Sequence, residues 1–147
     1  IARFYDRILG APILSCEDKS KCVVSVGPCQ TLTFAVHPDG LKAEGVSHHD
    51  MVQEEHIEGK PNFLSNYGPH VSIYVADLRS SYRRAQDLGV TYVNPRFKRR
   101  AYNEEESVDD CMFRCIDIVD PANIDAGPIL RLEHEVRSVV QRDGSKY

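Results

Sequence analysis

The segment AGPILRLEHEV at residues 126–136 decides the fold, because VGPCQTLTFAV stands 100 residues before it, at 26–36. The two share Gly-Pro, the central Leu and the final Val, and self-similarity of this kind marks a duplicated unit. A second pair of landmarks keeps the same order. IARFYDRILG (1–10) carries Ile1, Tyr5, Ile8 and Leu9 at helical spacing and stops at Gly10. DLRSSYRRAQDLG (77–89) carries Leu78, Tyr82, Ala85 and Leu88 and stops at Gly89. Apolar residues at that period read as the buried stripe of a helix, Asp77 as an N-cap, and the glycines as C-terminal stops. The Leu-Gly pairs are 79 residues apart and the Gly-Pro pairs 100, so the second unit has gained 21 residues. The polar, charge-rich stretch NPRFKRRAYNEEESVDD, at about 94–110, is the insertion.

Each unit then reads helix, strand, strand, strand, and HVSIYVA (70–76) adds a strand before the second helix. The expected fold is α+β: two βαβββ modules, with the first strand of module one missing before Ile1. The expected boundaries are 1–36 for the first module, 37–69 for a polar linker, 70–137 for the second module and 138–147 for a tail. The sequence begins at Ile1 rather than Met, with no charged leader. The repeat therefore leads us to expect a fragment of a longer chain, with Ile1 already inside a helix.

A chain of 147 residues, 41% hydrophobic and 27% charged, is sized for a single hydrophobic interior. Its net charge of −4 gives no electrostatic footprint for nucleic acid, and no apolar run reaches the ~20 residues of a membrane span. The five cysteines, Cys16, Cys22, Cys29, Cys111 and Cys115, are odd in number and form no CxxC pair. That pattern favours reduced thiols in a cytoplasmic or other reducing intracellular compartment.

Strand periodicity assigns faces. In 70–76, Val71, Ile73 and Val75 point one way and His70, Ser72 and Tyr74 the other. In 129–137, Leu130, Leu132, His134 and Val136 oppose Arg131, Glu133 and Glu135. In the matching strand of the first unit, Thr31 and Thr33 oppose Leu32 and Phe34. Helices covering the apolar faces would leave the polar faces to line a cavity. His134, on an apolar face, reads as a satisfied core histidine.

This pattern resembles the vicinal oxygen chelate superfamily, which includes glyoxalase I, bleomycin-resistance proteins and extradiol dioxygenases. The carriers are ARFYDRILG, similar to the family's FY-x3-LG helix, HVSIYVADL, similar to its second-module opening, and DPANIDAGPILRLEH, similar to its DP-x-G-N-x-x-E ending. The resemblance implies a cup-shaped mixed sheet with helices on its outer face, and a divalent metal (Zn, Fe, Mn, Ni or Co) in the cup acting as a Lewis acid. It makes His70 a metal ligand and Glu133 a ligand or base, with Tyr74 as pocket wall or proton donor. The family's closing acid position falls on Arg131 in module two and on Thr31 in module one. Two functions follow from the resemblance. One is a lyase, isomerase or dioxygenase acting on a small molecule through the metal. The other is a metal-free binder of the bleomycin-resistance kind using Arg131, Ser72, Thr31 and Thr33, or an accessory subunit docking another protein. A homodimer is common in the family.

Two further clusters are weaker. His48, His49, Asp50, Glu54, Glu55 and His56 lie in the linker without the HExxH spacing of a metalloprotease. Arg96, Lys98, Arg99 and Arg100 precede Glu104, Glu105 and Glu106 and read as opposed runs that pair or solvate the insertion. The EEESVDD segment is expected to begin a short helix over the cup mouth.

Overall fold

The computed structural model describes residues 1–17, 20–36, 70–94, 97 and 100–146. The chain is α+β. Helix α1 (Ala2–Leu9) buries Ala2, Phe4, Tyr5 and Ile8, a stripe wider than the spacing of Tyr5 and Ile8 alone suggests. Ile1 is its N-cap, outside the helix: its carbonyl accepts from Phe4 N (2.9 Å), which begins the first turn. The helix stops at Gly10, whose φ of +65° lies in the left-handed region that glycine tolerates.

Strands β1 (Ile13–Glu17), β2 (Lys21–Gly27) and β3 (Gln30–Ala35) follow as an antiparallel meander in the order β1-β2-β3. Pro28 and Cys29 form the tight turn between β2 and β3. Then come β4 (His70–Val75), α2 (Leu78–Asp87), β5 (Thr91–Tyr92), α3 (Glu104–Asp109), β6 (Met112–Val119) and β7 (Pro128–Ser138). The second sheet has the order β4-β7-β6-β5 and is mixed: β4 runs parallel to β7, while β5, β6 and β7 are antiparallel neighbours. Helix α2 supplies the crossover that parallel strands require. Asp77 caps it, accepting from Ser80 N at 3.0 Å and Ser80 Oγ at 2.6 Å. Gly89, just past its end, again takes a positive φ of +67°.

One apolar cluster serves both sheets. Phe4, Tyr5, Ile8 and Val24 belong to it with Ile73, Val75, Tyr82, Phe113, Ile118 and Val136. Tyr5 meets Phe34 of β3 on one side (centroids 5.3 Å apart) and His134 of β7 on the other (5.5 Å). Tyr82 of α2 packs edge-on against Phe113 of β6 at 5.5 Å.

The structure adds two details of placement. The insertion does form a helix, α3, but it docks beside α2: Glu104 accepts from Arg83 Nε and Nη2, both at 2.8 Å, and pairs with Arg79. The partners of Glu104 among the described residues are therefore arginines of α2. The end of the chain also turns back, with Val139 N–H donating to Val75 O at 3.0 Å and Val140 bridging to Lys146. The 37–69 linker, including the His48–His56 cluster, lies outside the described residues, as do Arg96, Lys98 and Arg99. Among the described residues no helix is long and apolar enough to cross a membrane.

Candidate functional site

The polar face of the four-stranded sheet carries most of the residues singled out in the sequence. The parallel register sets His70 beside Glu133, Ser72 beside Glu135 and Tyr74 beside Arg137. The antiparallel register sets Arg114 of β6 beside Glu135. His70, Ser72 and Tyr74 are exposed, whereas Glu133, Glu135 and Arg114 are buried, at 6%, 5% and 7% exposure.

Arg114 is the centre of this face. Its Nη1 donates to Glu133 Oε1 at 2.7 Å, and its Nη2 pairs with Glu135. Asn94 Nδ2 donates to both oxygens of Glu133, at 3.1 and 3.0 Å. Arg137 Nε in turn pairs with Glu135. The Phe97 ring covers the guanidinium carbon of Arg114 at 4.0 Å, a cation–π contact. A buried cation held between two carboxylates offsets the cost of removing all three from water. One donor is left over: Arg114 Nε is buried without a partner among the described residues.

Arg131 is not the partner of Glu133, although the two sit two residues apart on one strand. A register irregularity between Cys115 and Asp117 separates them, and Arg131 Nε instead donates to Asp117 Oδ1 at 2.8 Å. Its side chain remains 37% exposed. Thr31 and Thr33 are exposed on β3, which belongs to the other sheet, so they do not join this cluster through strand pairing.

The implied divalent metal can be tested against these donors. His70 and Glu133 stand side by side, but Glu133 already accepts three hydrogen bonds, one from a guanidinium that would repel a cation. Among the described residues no group of three His, Cys, Asp or Glu side chains is arranged to hold a metal ion. The donor set as folded does not fit the metal. What this face leaves unsatisfied is a donor, Arg114 Nε.

Arg114, Asn94 and Phe97 were missed as site residues. Arg114 had a signal: it is the one cation in CMFRCIDIV (111–119), an apolar strand, where a charge must find a buried partner. Phe97 and Asn94 sit in the insertion, whose path no periodicity reveals.

On the apolar face His134 is buried in the core as expected, but only one of its nitrogens is satisfied: Nδ1 has no hydrogen-bond partner among the described residues. His134 shares a 2.6 Å hydrogen bond with the Tyr5 hydroxyl, and burial pushes its pKa down to about 4. Burial likewise holds the Tyr5 phenol far above its usual range and pushes the Cys115 thiol up to about 12. All five cysteines are free thiols.

A cavity lies elsewhere. A half-open cleft of about 390 Å³ opens where the end of α1 and the end of β2 face the end of β4 and the start of α2. Compared with known proteins, the chain matches no family model, no curated protein and no solved structure.

Proposed function

We propose that the chain is a small-molecule-binding protein of the vicinal oxygen chelate type, built as two βαβββ-like modules around a cup, which engages its ligand through nitrogen donors instead of a metal ion. The repeated landmarks support the architecture: left-handed glycines end both helices, and β3 and β7 occupy matching places in the repeat. The observation that carries the functional reading is the state of Glu133. The carboxylate that a metal would require is saturated by Arg114 and Asn94. The nitrogen donors of this region are guanidiniums: Arg114 Nε, buried without a partner among the described residues, and beyond the register irregularity the partly exposed Arg131, which pairs with Asp117. Such donors suit a ligand that presents a carboxylate or carbonyl oxygen. His70, Ser72 and Tyr74 are the exposed polar surface beside them.

The register favours one rival. His70 and Glu133 are direct neighbours across β4 and β7, the placement a glyoxalase- or dioxygenase-like metal enzyme would use if Glu133 exchanged Arg114 for a cation. Elemental analysis of protein purified without chelator separates the two. The binder reading expects no stoichiometric transition metal, and expects Arg131→Leu to weaken thermal stabilisation by small carboxylates. Stoichiometric metal that is lost in His70→Ala overturns it in favour of the enzyme.

A further inference from the structure

We infer that the cleft between the two halves of the molecule is a second binding site, selective for a small carboxylic acid with an apolar body. It shares Tyr74 with the polar-face site but none of the ion-paired residues of that face. At about 390 Å³ it falls in the size range of small-ligand pockets. Leu9 and Val26 come from the first half of the chain and Ile73 from the second, so an apolar ligand would touch both. Ile73 is a core residue at 6% exposure, which makes that wall rigid.

The charge in the cleft comes from α2. Arg84 lines it with its Nη1 4.0 Å from where a Cβ on Gly10 would stand, so the guanidinium reaches across to the end of α1. Its Nε donates to Ser80 O at 3.2 Å, and among the described residues it makes no ion pair. Asp77 also lines the cleft, but both of its oxygens are engaged by Ser80 in capping α2. The cleft therefore offers one cation whose two Nη groups make no ion pair among the described residues, beside apolar side chains, and a carboxylate is the group that accepts two parallel N–H bonds from one edge of a guanidinium. Gly10 keeps the approach open: a side chain there would meet Arg84 and would also strain a φ of +65°.

The test is a titration of isotopically labelled protein with hexanoate and with hexanamide, its uncharged isostere, followed by two-dimensional amide NMR. Saturable shifts at Leu9, Val26, Ile73 and Arg84 are expected, with hexanoate about tenfold tighter than hexanamide. Arg84→Gln should bring hexanoate to the affinity of hexanamide at these residues, and Arg84→Lys should restore part of the difference. The inference is overturned if hexanoate causes no saturable shifts, if its shifts map only to the polar face of β7 and β6, or if Arg84→Gln, folded by its spectrum, binds hexanoate as the parent does.

Discussion

The 2.6 Å contact between the Tyr5 hydroxyl and His134 Nε2 ties α1 to β7 in a site from which water is excluded. Tyr5→Phe leaves the histidine nitrogen buried without its partner and should cost about 1–3 kcal/mol in urea unfolding. The same histidine sets a pH dependence. Folding lowers its pKa from 6.5 to about 4, so between those values the unfolded chain binds the extra proton. Its contribution is fully present above pH 6.5 and is lost as pH falls toward 4, by roughly 3 kcal/mol at most. Unfolding midpoints measured at pH 7 and pH 4.5 should differ in that direction, and His134→Gln should shrink the difference. Thiol chemistry gives a third check. Cys16 and Cys29 are exposed, whereas Cys115 is buried and its thiol is pushed up to about 12. A thiol-specific reagent at pH 8 should label the first two quickly in the native protein and Cys115 only on unfolding.

Strand β6 shows what one charge does to an element. Arg114→Met would leave Glu133 and Glu135 facing each other in the interior, and a loss of about 3–5 kcal/mol is expected. Adding Glu133→Gln and Glu135→Gln to that variant should recover part of it, as calorimetry can show. The helices were the most legible elements in the sequence. Leu78, Tyr82, Ala85 and Leu88 all proved buried at the spacing that announced them, and Gly10 and Gly89 ended their helices with positive φ. Gly89→Ala, placed where nothing crowds a new Cβ, should still cost about 1 kcal/mol for backbone alone. The face alternation of β4 was equally plain, with Ile73 and Val75 inside and His70, Ser72 and Tyr74 outside. The partner of Glu133 was not legible. A two-residue period pointed to Arg131, but across the irregularity between β6 and β7 that side chain pairs with Asp117, while Glu133 pairs with Arg114 on the neighbouring strand. Pairing across strands depends on register, and a bulge is a local event that composition does not encode.

At the scale of the whole molecule the two sheets depend on one interior. Phe4, Tyr5 and Ile8 reach residues of both, so neither sheet keeps its apolar face covered without the other. Unfolding should therefore be a single cooperative transition, with tyrosine fluorescence (the chain has no Trp) and far-ultraviolet circular dichroism superimposing. Strand β3 has a different consequence. Among the described residues it pairs on one side only, with β2, and its sequence QTLTFA carries no charge and no proline. The counterpart β7 is flanked by β4 and β6. Among the described residues, the side of β3 away from β2 is the place in the repeat that β4 fills beside β7, so a strand added there, from this chain or another, would extend the sheet through backbone hydrogen bonds alone.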